Sequence, residues 1–302
     1  MIAGARANTD PSAMVIHRPD PDAIASADSE AEAYAARVDE LGRGTCIEPV
    51  LELAYGEDRG QRLDVYAPPD ARNLPIVVFF HGGAWINGHR GWLRFMAPAM
   101  LRLPAIFVAG TYRLAPRCRW PAQYEDVRDA LWCIERHAQA LGGDPRRIVV
   151  GGHSAGAHLA SLVTLKREIP PVLGAFPVSG SHDLQYGPVS WDSPEGRVYK
   201  HLFTSPEQDY DASPINFVAN NTVQFHVTWG EMDFPRVRDS SARFVRALRS
   251  GTAQVTAAIL SGASHFDCHL ALADGQHPWY AMLKQTLYRL PAYHVPRYGL
   301  EL

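Results

Sequence analysis

The sequence predicts an α/β fold: a mostly parallel central sheet with helices on both faces and a small cap. Three observations carry this. Apolar runs of strand length alternate with helical patterns of roughly 10–15 residues, the signature of βαβ units. The runs are continuously apolar instead of alternating, which implies a sheet covered on both faces. One stretch, 181–220, breaks the alternation and reads as an insertion or cap over one sheet edge.

The elements follow in order. Residues 1–20 contain proline breakers and read as loose chain. Residues 24–41 are rich in Ala and Glu and predict a helix, which Gly42 and Gly44 stop. Residues 46–55 and 61–68, separated by the polar GEDRG, carry a hairpin signal. From there PIVVFFHGG (75–83), AIFVAGTYRL (105–114), RIVVGG (147–152), VLGAFPVSG (172–180), QFHVTWG (224–230) and VTAAILSG (255–262) read as strands. Residues 91–103, 123–141, 154–167, 238–250 and 278–290 read as the helices between and after them. No internal repeat or low-complexity tract is present.

Composition narrows the function. The 302 residues are 46% hydrophobic, with 29 basic and 32 acidic side chains for a net charge of -3. Apolar content is too high for dominant disorder, and no basic stripe suggests a nucleic-acid partner. Cys46, Cys118, Cys133 and Cys268 are scattered without a CxxC pair, and the histidines form no HExxH, so neither a metal site nor a cofactor is expected. The apolar runs are strand-sized, so no membrane association is expected. The N-terminal stretch does not read as a signal peptide, and a cytoplasmic location is the expectation.

The chemistry concentrates at Gly152-His153-Ser154-Ala155-Gly156. A strand precedes it and a helix follows, the strand–turn–helix context that a G-x-S-x-G nucleophile elbow needs. The turn is sharp, so the flanking glycines let strand and helix approach, and the serine hydroxyl stands above the sheet. The helix N-terminus then faces the charge that develops on a substrate oxygen. His81-Gly82-Gly83-Ala84 follows another strand. The N–H groups of Gly82 and Gly83, with that of Ala155, predict an oxyanion hole.

A nucleophile on such an elbow is followed in the chain by its acid and then its base. The acid is expected just past 224–230, at Asp233, with Glu231 as the alternative. The base is expected past 255–262, at His265, with His269 as the nearest rival. Ser154 would attack a carbonyl and form an acyl-enzyme, with His265 as general base and Asp233 as its orienter.

HGGAW (81–85), YRLAP (112–116), DPRRIVVGGHSAGAHLA (144–160) and ASHF (263–266) resemble the α/β-hydrolase superfamily. Within it they are similar to the hormone-sensitive-lipase-like esterases and the kynurenine formamidase (arylformamidase) branch. AYGEDRGQRLDVYAP (54–68) resembles the segment before the core strands of formamidases, and the likeness spans roughly 50–290. It implies the α/β-hydrolase fold, with Ser154, Asp233, His265 and the two glycines in the roles already given. Two positions depart from the lipase-like pattern: His153 stands where an Asp is common, and Arg117 where an acidic residue is common.

The implied organisation is an N-terminal helical cap or arm over 1–45 and a catalytic domain over 46–302 with its cap insertion near 181–220. The expected activity is cleavage of small to medium carboxylic esters or an N-formyl aryl amide. The alternatives are a dedicated kynurenine formamidase and a non-catalytic binding module. A dehydrogenase is set aside, because no GxGxxG follows the first core strand. Trp85, His153 and Tyr186 are candidate pocket residues. The 24–41 helix and Met96-Ala97-Pro98 could serve a cap, a homodimer interface or plain packing.

Overall fold

The computed structural model describes residues 5–7, 23, 29–185 and 194–288. Nine strands form one sheet: β1 (Ala5–Ala7), β2 (Leu51–Ala54), β3 (Arg62–Tyr66), β4 (Leu74–Phe80), β5 (Ile106–Gly110), β6 (Gly143–His153), β7 (Gly174–Val178), β8 (Gln224–Gly230) and β9 (Val255–Leu260). Their spatial order is β1-β2-β3-β5-β4-β6-β7-β8-β9. The six strands from β5 to β9 run parallel, while β1, β2 and β3 add on by antiparallel pairing. The hairpin expected from 46–68 is therefore the β2–β3 pair. β1 lies in the stretch read as loose chain. It is three residues long and pairs Ala5 with Leu53 through its backbone, which no hydrophobic pattern announces.

The continuous apolar runs have the expected cause. Along β4, Ile76, Val78 and Phe80 join one buried cluster, while Val77 and Phe79 join another on the opposite face. The helices are α1 (Ser29–Gly44), α2 (Ala97–Arg102), α3 (Ala122–His137), α4 (Ala155–Lys166), α5 (Pro194–Leu202), α6 (Gln208–Asp211), α7 (Pro235–Arg249), α8 (Asp267–Leu270) and α9 (Pro278–Tyr288). The first face is covered by α3, α4 and α7, through residues such as Val127, Leu159 and Phe244. The second is covered by α1, α2 and α9, through Val38, Met100 and Leu283.

The helix expected over 91–103 divides into a 3-10 segment, Arg90–Met96, and α2. Pro98 sits in the first turn of α2, where its missing N–H costs nothing. Between β7 and β8 the chain carries α5, α6 and a 3-10 turn at Pro214–Phe217. Tyr199, Leu202 and Phe203 pack into the α3–α4 side of the core. Among the described residues no helix is long and apolar enough to cross a membrane.

Candidate active site

Loops at the carboxyl ends of β4, β6, β8 and β9 converge, the usual place for a ligand in an open parallel sheet. Ser154 stands between β6 and α4 with φ 52 and ψ -115, a conformation that L-residues rarely adopt. Close packing enforces it. A Cβ on Gly152 would lie 2.3 Å from the Gly156 carbonyl carbon, and one on Gly156 would lie 2.2 Å from the Phe80 oxygen. Only glycines let α4 leave the strand so abruptly while pressing on β4. The Ser154 N–H donates to Val178 O at 2.9 Å, tying the turn to β7.

His265 Nε2 lies 2.9 Å from Ser154 Oγ, and His265 Nδ1 lies 2.7 Å from Asp233 Oδ1. A carboxylate only accepts, so Nδ1 carries the proton and Nε2 is free to receive that of the serine. Asp233 is buried, which alone would raise its pKa. The hydrogen bond and charge of His265 outweigh that and hold the carboxyl below its usual range. The Phe234 N–H also donates to Asp233 Oδ1, at 2.8 Å.

The β9 loop reaches β8 because Gly230 has no side chain: a Cβ there would lie 2.1 Å from Ala263 O. The N–H groups of Glu231 and Met232 donate across the seam to Leu260 O and Ala263 O, each at 2.9 Å. Glu231 itself points outward and accepts from Ser261 Oγ and the Gly262 N–H, each at 2.8 Å. It pins the β9 turn and does not touch His265. His269 is buried and stacks on His153, with ring centroids 4.8 Å apart, and its Nδ1 lies 2.8 Å from Tyr34 Oη.

The 81–85 loop lies against the elbow. A Cβ on Gly82 would lie 3.0 Å from Ser154 Cβ. Gly83 has φ 114, and Ala84 and Trp85 continue left-handed at 52 and 61. The loop is braced from below. His81 stacks on Tyr112, 4.5 Å away, and its ring reaches Gly82 O at 2.6 Å and Thr111 Oγ1 at 3.0 Å. Burial pushes the His81 imidazole down to about 3, so it is neutral and its Nδ1–H donates to Gly82 O. The Ala115 N–H donates to Trp85 O at 3.0 Å. The YRLAP segment therefore works as the underside of this loop. Arg117, a departure from the lipase-like pattern, pairs with Asp58 at 2.7 Å.

Of the three pocket candidates, Trp85 is buried and its indole N–H donates to His158 Nδ1 at 3.1 Å. His158 Nε2–H in turn donates to Ala212 O at 2.6 Å, so Trp85 links this loop to α4 and the segment after α6. His153 is buried with its ring nitrogens directed at Tyr34 Oη and His265 O, at 3.3 and 3.1 Å. Tyr186, like Trp191, lies outside the described residues.

Two residues at the site were not singled out from the sequence. Phe234 stacks on the His265 ring at 4.5 Å yet remains 42% exposed. Its only signal was adjacency to Asp233. Tyr34, from α1, reaches the rear of the elbow. Its i, i+4 spacing with Val38 marks only a packing face of α1, where Tyr34, Val38 and Gly42 are buried, and gives no sign of the site. Among the described residues no group of three or more His, Cys, Asp or Glu is placed to hold a metal ion.

Residues 63–183 match the BD-FAE family model. The chain is 31% identical to Esterase LipC of Mycobacterium tuberculosis over 246 residues, 74% of this chain and 60% of that one. It is 29% identical to Kynurenine formamidase of Danio rerio over 255 residues, 79% of this chain and 84% of that one. The chain thus spans less than two thirds of the mycobacterial esterase's length. Among solved structures, a hyperthermophilic esterase from the archaeon Pyrobaculum calidifontis superposes with a TM-score of 0.70 at 22% identity, covering 87% of this chain and 94% of that one.

Proposed function

The chain has the α/β-hydrolase fold and carries a serine–histidine–aspartate triad on it; from that premise we propose a serine hydrolase that cleaves small to medium carboxylic esters through an acyl-enzyme. The observation that carries the reading is the continuous hydrogen-bonded line from Ser154 Oγ through His265 to buried Asp233. His265 takes the Ser154 proton as Oγ attacks the ester carbonyl. The resulting imidazolium is held by the Asp233 carboxylate and returns the proton to the leaving alcohol. Water then enters on the same base, attacks the acyl-serine and frees the acid. The N–H groups of Gly82, Gly83 and Ala155 are proposed to hold the oxyanion, each donor supplying roughly 3–4 kcal/mol of transition-state stabilisation. In this reading the segment 194–217 shapes the acyl side of the cleft.

A second reading is hydrolysis of an N-formyl aryl amide. Its support is the likeness to Kynurenine formamidase, which runs along 84% of that protein, further than the 60% reached along LipC. An amide nitrogen leaves poorly, so this substrate demands full proton donation from His265.

The test has two arms. A fluorophosphonate probe should label the wild type and fail to label Ser154→Ala; a folded wild type that takes up no label removes the catalytic reading and leaves the binding module. A kinetic panel of short p-nitrophenyl esters, an aryl acetate and N-formylkynurenine then separates the two substrates, because the higher kcat/KM names the branch.

A further inference from the structure

We propose that Tyr34, on the N-terminal helix α1, is a positioning residue for His265: it fixes the tautomer of His153, whose ring then holds the His265 backbone. The inference rests on the serine-hydrolase reading and adds a residue to it.

The argument is one of proton accounting. His153 Nε2 lies 3.1 Å from the His265 carbonyl oxygen, which can only accept. His153 is fully enclosed, and burial, followed by the nearby His269 and His265, drives its pKa far below the ordinary imidazole value. It is therefore neutral and carries one proton, which must sit on Nε2. Its Nδ1 is then a bare acceptor and needs a donor. Tyr34 Oη is 3.3 Å away. The same hydroxyl lies 2.8 Å from His269 Nδ1. One assignment satisfies both contacts: His269 Nδ1–H donates to the Tyr34 oxygen, and the Tyr34 O–H donates to His153 Nδ1. The reverse assignment strands a lone pair on His153. His269, pushed down to about 3 by burial, is neutral and can play this part. Its Nε2 meets no hydrogen-bond partner among the described residues, consistent with a deprotonated ring atom facing apolar neighbours.

Tyr34 is well fixed for the task. Its ring stacks on Phe266 with centroids 4.8 Å apart and meets Trp92 edge-on at 5.6 Å. Phe266 directly follows the catalytic histidine. Burial raises the phenol far above its usual pKa, so it remains a donor at every working pH. The His265 ring lies between the His153 ring, 5.0 Å behind it, and Phe234 in front. Only the rear partner is locked by hydrogen bonds, and that lock ends at α1.

Tyr34→Phe removes the hydroxyl and keeps the ring contacts. Small displacements of a catalytic group cost rate steeply. On a p-nitrophenyl ester we expect kcat to fall at least about tenfold with KM within about twofold. In a His153→Phe background the same substitution should cost less than about twofold, because the link it serves is already gone. A merely structural role would lower Tm and leave kcat per folded molecule unchanged. An unchanged kcat, or an equal loss in the His153→Phe background, overturns the proposal. If Tyr34→Phe does not fold, His153→Phe tests the same link: reduced kcat at unchanged KM supports it, and wild-type kcat overturns it. A wild type that turns over no substrate and takes up no phosphonate overturns the hydrolase reading itself, whereas an active wild type with an indifferent Tyr34→Phe overturns this inference alone.

Discussion

At the scale of single residues, the site separates two acidic side chains that the sequence places two positions apart. Asp233 is buried against His265, and Glu231 is exposed and bonded to the β9 turn. Asp233→Asn turns a pure acceptor into a group that can also donate, so the imidazole loses the partner that fixes its tautomer. We expect kcat/KM to fall roughly 10³–10⁴-fold. Glu231→Gln should remain within about twofold, since it touches only Ser261 and Gly262. Steady-state kinetics on one ester measures both, and a larger loss at Glu231 would move the acid there. The serine was legible because its surroundings demand particular residue types: nothing larger than glycine fits at 152 or 156. Tyr34 was not legible, because its partners His153 and His269 lie 119 and 235 positions away. Proximity of that kind arises only once the sheet has formed.

At the scale of elements, the runs that became β4 to β7 were legible because burial on both faces writes an apolar string, while β8 alternates Phe225, Val227 and Trp229 with His226 and Thr228 and β9 is half-buried along its length. β1 was not legible, since a three-residue edge strand is held by backbone pairing alone. The separation of the 3-10 segment from α2 had one signal, Pro98, which belongs in the first turn of a helix and not in the middle of one. The contact between α4 and β4 makes its own prediction. In Gly156→Ala the new methyl would meet the Phe80 and His81 carbonyl oxygens at 2.2 and 2.5 Å, and rigid backbone cannot yield. The expected outcome is a loss of at least about 2–3 kcal/mol in stability, together with lost activity, since α4 must tilt away from the elbow. Urea unfolding checks it, and a wild-type midpoint would show that the helix has room to move.

At the scale of the whole molecule, buried neutral imidazoles set the acid limit. Burial pushes His81, His182 and His269 down to about 3 and His158 and His226 down to about 4. In the unfolded chain each would titrate near 6.5. Below that pH the unfolded state binds protons the folded state refuses, so stability rises with pH. The contribution is complete above 6.5 and is lost as pH falls toward 4 and 3. Each imidazole costs up to about 1.4 kcal/mol per pH unit in that window. The urea midpoint should therefore drop sharply between pH 7.5 and 5, and a flat profile would contradict neutral burial. Strand order has a different outcome, one in time. From β4 outward the sheet reads β4, β6, β7, β8, β9, which is also the order in which a ribosome delivers them. Each arriving strand finds its template edge already built. The serine is in place early, yet its base lies 111 residues further along. A nascent chain thus carries an inert nucleophile through the synthesis of those 111 residues, and its chemistry is armed only when the loop after β9 docks.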